Sequence, residues 1–200
     1  MQRPLATLIA ASCLGLASPS VAAPIVQALA SGTVQLLSYP ALGQSFTAED
    51  ATVSVGFWIQ EIRPDIAPAG DSVSITLREG AGASGAVLAT ATVSGLASGF
   101  AGWVDADFSA IALTAGSVYT AVIGDLTPRW SLSFYAADAY AGGQMLFASA
   151  LQPTHEAKFR VLPVAPAEEE PPIAVPEPAG AGLVGLALAA LVAARRRRGG

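Results

Sequence analysis

Between residues 35 and 164, apolar and polar positions alternate in short bursts separated by clusters of Gly, Pro, Asp and Ser. The clearest burst is Val53-Ser54-Val55-Gly56-Phe57-Trp58-Ile59. Side chains alternate between the two faces of a strand, so Val53, Val55, Phe57 and Ile59 share one face, while Thr52, Ser54 and Gln60 take the other. Trp58 is out of phase with Phe57, so one of the two rings faces solvent unless both faces of the sheet are covered. Runs of this kind predict strands at 44–46, 52–60, 72–78, 87–93, 103–108, 118–123, 131–135, 145–148 and 158–162. Breaks fall at 64–70, 79–85, 94–102, 114–117, 125–128 and 142–143. Short strands at this spacing, with no long helical period, predict an all-β domain over 23–164: an antiparallel β-sandwich or jelly roll.

The two ends follow another pattern. Residues 1–22 have the parts of a signal peptide: Arg3, an apolar run over 5–17, a Ser-Pro-Ser break at 18–20, and small residues at Ser20 and Ala22. Cleavage after Ala23 would set Pro24 beside the scissile bond, so cleavage after Ala22 is favoured. Ala10-Ala11-Ser12-Cys13 offers a competing lipoprotein box, but Ala10 replaces the usual Leu and the apolar run continues past Cys13. At the other end, a Pro- and Glu-rich linker over 165–178 leads into an apolar run over 179–194 and an arginine-rich tail over 195–200. The prolines favour extended backbone, and Glu168, Glu169 and Glu170 repel one another, so the linker cannot pack. The apolar run is somewhat shorter than the ~20 residues of a comfortable spanning helix, yet its leucines make it a transmembrane helix by expectation. Arg195, Arg196, Arg197 and Arg198 then stay on the cytoplasmic side, leaving the β domain outside. These physical arguments alone give a C-terminal membrane anchor.

The residues add a resemblance. Val175-Pro176-Glu177-Pro178, then a short apolar helix rich in Gly, Ala and Leu, then an Arg cluster, resembles the PEP-CTERM sorting signal. That resemblance implies export by the Sec machinery, passage through the inner membrane of a Gram-negative bacterium, and processing by an exosortase that recognises Pro176, Glu177 and Pro178. It also implies delivery to the outer surface or extracellular matrix, in cells that make exopolysaccharide. The middle of the chain resembles a choice-of-anchor-like β-sandwich module of exported bacterial proteins. The matching stretches are Gln44-Ser45-Phe46-Thr47-Ala48, Ser74-Ile75-Thr76-Leu77-Arg78-Glu79-Gly80, Gly85-Ala86-Val87-Leu88-Ala89, Leu113-Thr114-Ala115-Gly116-Ser117-Val118-Tyr119-Thr120 and Tyr140-Ala141-Gly142-Gly143. Such modules end in an acidic residue just before a Phe-Arg-like strand, a place held here by Glu156 and Phe159-Arg160, with Lys158 interrupting the apolar pattern.

Composition narrows the chemistry. Only 12% of residues are charged, against roughly 25% in an average soluble domain. The net charge of −5 understates the acidity of the middle, because five of the ten cations lie in the terminal segments. An acidic body with scattered cations argues against nucleic acid and against docking on anionic lipid headgroups, since both call for clustered Lys and Arg. The single cysteine, Cys13, lies in the signal segment, so the exported part has no disulfide and no Cys-based metal site. A Ser–His–acid triad would need His155, the one histidine, which sits in a polar turn near Pro153, and there is no G-x-S-x-G elbow. Neither phosphate-binding glycine motif occurs at a strand–helix turn, and the many glycines are better explained by turns. Asp105 and Asp107 would share one side of a strand beside Trp103, which reads as a solvated face or a weak calcium site. The expectation is a non-catalytic protein without metal or cofactor. The alternative is a carbohydrate-binding module that associates with exopolysaccharide through exposed aromatics. Trp58, Trp130 and Tyr140 are the candidate ligand-binding residues, with Trp103 and Tyr135 as further aromatics, set against the tendency of sandwiches to bury a tryptophan or two.

Overall fold

A computed structural model describes residues 22–66 and 70–164. In chain order the strands are β1 (Ile25–Gln27), β2 (Gly32–Gln35), β3 (Leu42–Thr47), β4 (Val53–Glu61), β5 (Val73–Glu79), β6 (Val87–Val93), β7 (Ala101–Asp107), β8 (Val118–Gly124), β9 (Trp130–Tyr135), β10 (Met145–Phe147), β11 (Ala150–Gln152), β12 (Glu156–Ala157) and β13 (Phe159–Pro163). A 3₁₀ turn at Pro64–Ile66 is the one helical element among the described residues. Every pairing is antiparallel, and the strands form two sheets, one of seven and one of six. The domain is an all-β sandwich. All nine strands expected from alternation are present, and β1, β2, β11 and β12 are additional. Apart from Ala22, the expected signal peptide lies outside the described residues. So do the linker, the Pro176-Glu177-Pro178 motif, the expected transmembrane helix and the four terminal arginines.

The six-stranded sheet runs β11-β10-β3-β8-β5-β6. The seven-stranded sheet is forked. β4 pairs along one edge with β7, and its other edge is shared: β13 takes the part from Val53 to Phe57, and β9 the part from Ile59 to Glu61. The chain at β12 pairs with β9 before crossing to β4 as β13, so it is wedged where the two arms part. Lys158 sits in the crotch: its N–H donates to the Ser133 carbonyl of β9 at 2.8 Å, and its carbonyl accepts the Trp58 N–H of β4 at 2.9 Å. A residue that must bond backward to one strand and forward to another cannot continue either ladder, which explains the break between β12 and β13.

The inner faces supply the core. Val55, Phe57, Ile59, Trp130, Leu132 and Phe159 from the forked sheet meet Leu42, Phe46, Ile75, Leu77 and Ile123 from the other, all fully buried. Burying each such side chain stabilises the fold by about 1.5–3 kcal/mol. One polar contact crosses this apolar layer. Gln44, on the inner face of β3, donates to the Glu156 carboxylate of β12, and its carbonyl oxygen accepts the Ala157 N–H at 2.9 Å. It is a hydrogen-bonded link from sheet to sheet, with both side chains out of solvent.

Candidate functional site

The register of the forked sheet assembles a cluster on its outer face. Trp58 of β4 lies opposite Trp103 of β7, and Lys158 flanks Trp58 on its other side, so the three form one cross-strand row. Two residues along, Arg160 of β13 pairs with Gly56, which pairs with Asp105 of β7. All the side chains in these two rows are half-buried.

The indoles of Trp58 and Trp103 meet edge to face, with centroids 5.6 Å apart and planes at 89°. This arrangement sets the positive edge of one ring on the negative face of the other. The Lys158 ammonium stands 3.7 Å from the Trp58 ring centroid and 5.8 Å from that of Trp103. The Arg160 guanidinium lies 4.6 Å from the Trp103 centroid. Arg160 also grips Asp105 with two parallel bonds, Nε to Oδ1 at 2.7 Å and Nη2 to Oδ2 at 2.5 Å. That bidentate bond to Asp105 holds the Arg160 guanidinium above its usual proton affinity, against the opposing effect of burial.

Gly56 makes room for the ion pair. A Cβ at this position would stand 2.2 Å from Asp105 Oδ1 and 3.2 Å from the Val104 carbonyl oxygen. Gly56→Ala is therefore expected to push Asp105 away from Arg160 and to lower the unfolding free energy by about 1–3 kcal/mol, as overpacking does. Chemical denaturation checks this, and an unchanged midpoint would show that the pair tolerates the methyl group.

The other expected site residues are placed differently. Trp130 points into the core and is fully buried, so it cannot offer a face to a sugar, and the ligand role expected for it is corrected. The phase of β9 decides this: Trp130 and Leu132 share the inner face. Its Nε1 donates to the Gly70 carbonyl at 2.8 Å, Phe100 meets it edge-on at 6.0 Å, and the Arg129 guanidinium covers it at 4.6 Å. Arg129 in turn donates to Glu61 at 2.7 Å, with both side chains nearly out of solvent. The Gly99 N–H, and then Arg129, hold the Glu61 carboxyl below its ordinary range. Tyr140 is half-buried: it packs edge-on against Phe159 at 5.2 Å and its hydroxyl accepts the Thr47 N–H at 3.3 Å, so the ring is tied between the two sheets. Burial, opposed by the Thr47 bond, pushes its hydroxyl pKa up.

Asp105 and Asp107 do not act together. The first is engaged by Arg160, and the second accepts the Ser109 N–H at 2.8 Å, a bond that lowers its pKa. His155 lies in the turn before β12, its Nδ1 3.1 Å from Thr154 Oγ1 and its ring 5.8 Å from Phe134. It lines an apolar recess of about 350 Å³ with Phe134, Met145, Phe147 and Gln152.

Glu156 is the least ordinary group in the domain. It is fully buried, Gln44 donates to Oε2, and Oε1 has no hydrogen-bond partner among the described residues. Burial pushes its pKa up to about 7, the Gln44 bond opposing and the nearby Asp138 adding to the rise. Sequence reasoning noted the acid but had no signal for its burial. The pairing of Lys158 with two tryptophans was equally hidden, because it depends on three-strand register. Comparison with family models, with curated proteins and with solved structures finds no match for the chain.

Proposed function

We propose that this chain is an exported, non-catalytic protein of the cell surface or extracellular matrix, carried by the Sec machinery and sorted by an exosortase. The observation that carries this reading is the ordered triplet of Pro176-Glu177-Pro178, the apolar run over 179–194 and the arginines Arg195 to Arg198. The signal-like residues 1–22 support it from the other end. In this reading the tail is an inner-membrane intermediate and the β domain is the delivered cargo. The chain alternates between sheets from β3 to β5 and from β7 to β10, which supports jelly-roll wiring of that cargo.

The experiment is intact mass and cell fraction of the protein purified from its host, with and without Pro176→Ala. The native protein should have lost everything beyond the Pro-Glu-Pro region, and the variant should keep its tail in the inner membrane. An intact membrane-bound C-terminus in both would leave only an anchor.

A second reading has its own support. Trp58 and Trp103, side by side on an outer sheet face with polar groups beside them, suit the stacking of sugar rings, which favours an exopolysaccharide-binding module.

A further inference from the structure

We propose that the outer face formed by Trp58, Trp103 and Lys158 recognises a saccharide bearing a carboxylate, such as a uronic acid residue within a polysaccharide chain. This inference rests on the polysaccharide reading and adds to it the charge of the ligand and the residue that reads it.

The described residues hold five cations against eleven carboxylates. Arg63, Arg129 and Arg160 are each paired with a carboxylate, Asp65, Glu61 and Asp105 respectively. Arg78 donates to the Gly85 carbonyl at 3.0 Å. Lys158 alone has neither a carboxylate nor a hydrogen-bond acceptor among the described residues. Its ammonium rests on two indoles. Aromatic faces attract a cation through their quadrupole, but they neither neutralise it nor accept its N–H bonds conventionally. An anion arriving at this face meets a full positive charge, already positioned and partly stripped of water, whose donors lack partners among the described residues.

Position adds selectivity. Lys158 is the residue at the fork, its backbone tied to β9 and β4, so the root of its side chain is fixed. Trp58 and Trp103 are rigid, amphipathic surfaces that lose little entropy when a ring packs on them. The adjoining Arg160–Asp105 pair is about a quarter to a third exposed, and supplies donors and acceptors for hydroxyl groups at the edge of the aromatic row. This is a shallow face crossing three strands, which fits a unit within an extended polymer better than an enclosed small molecule. A carboxylate on a sugar ring is the ligand chemistry that uses the apolar, cationic and hydroxyl-binding parts together.

The test is affinity electrophoresis of the protein through gels containing polygalacturonate, its fully methyl-esterified form, or polyglutamate. The parent protein should be retarded by polygalacturonate at least ten-fold more strongly than by either control, and added salt should weaken the retardation. Lys158→Met should reduce it to the level of the esterified polymer while the protein still unfolds cooperatively on heating, and Lys158→Arg should restore it in part. Trp58→Ala should abolish retardation by both sugar polymers; should it fail to fold, the two lysine variants still decide. Equal retardation by acid and ester would overturn the carboxylate assignment and leave the polysaccharide reading standing. Equal retardation by polyglutamate would overturn the saccharide part. Binding unchanged by Lys158→Met would remove that residue from the site. No retardation by any polymer would overturn both the inference and the reading beneath it.

Discussion

Trp130→Ala is expected to lower the unfolding free energy by about 3–5 kcal/mol, the range for deleting a large aromatic side chain from a core. The upper half of that range applies for three reasons. The ring is fully buried between the sheets, so the space it leaves is enclosed. Its indole N–H is bonded to the Gly70 carbonyl, an acceptor then left with only the 3.3 Å bond from Arg129. The Arg129 guanidinium, itself almost wholly buried, loses the ring beneath it while staying tied to Glu61. A domain with a typical stability of about 5–15 kcal/mol would be brought near its threshold. Trp58→Ala, on the outer face, should cost much less, since the side chain is half-exposed and its loss opens no enclosed cavity. Urea unfolding of the two variants beside the parent checks both. Equal losses would mean that the outer cluster is as structural as the core, and would weaken any ligand role for Trp58.

That contrast marks where the sequence was legible. Strands with strict alternation and β-branched residues, such as β4 and β5, announce themselves because each inward side chain has to be apolar. β1, β2, β11 and β12 span two to four residues, too few to show a period, and they exist because neighbouring strands offer free edges to pair with. The out-of-phase relation of Phe57 and Trp58 was readable, and Phe57 is the buried one. Trp130 begins its strand, so no preceding alternation fixed its face. Tyr140 lies outside any strand, where alternation says nothing. Lys158 was visible as an interruption of an apolar pattern, and the fork supplies its cause. What one sequence could not give was the lateral order of β13, β4 and β7, and with it the meeting of Lys158, Trp58, Trp103 and Arg160. Glu156 was hidden for the opposite reason: carboxylates are almost never fully buried without a charged partner, so composition argues against its position.

Stability of the parent domain should fall as pH rises from about 5 to about 8, and Glu156→Gln should remove most of that fall. The folded-state pKa of Glu156 is about 7, raised from 4.5 by burial. Across this window the folded state holds a proton that the unfolded chain has released, so unfolding becomes easier with rising pH. The stabilising difference is fully present below about 4.5 and is lost as the pH passes through about 7. A shift of this size corresponds to about 3 kcal/mol between the two limits. The groups facing Glu156 agree with that direction: Asp138 repels its charge, Tyr140 is a neutral phenol at these pH values, and the amide of Gln44 is one donor where a buried carboxylate needs several. Glu61, Asp65 and Asp107, whose pKa values are lowered by their partners, act in the opposite sense, but below about pH 5, so the two effects separate on the pH axis. A glutamine at 156 keeps an acceptor for Gln44 and carries no charge at any pH. The variant should therefore match the parent near pH 5 and exceed it by up to about 3 kcal/mol at pH 8, as read from urea unfolding at both. Parallel stability curves for parent and variant would show that the carboxylate ionises in the fold at little cost, through hydration of its unpartnered oxygen. In that case the sheet-to-sheet contact at Gln44 is a polar channel and not a sealed part of the core.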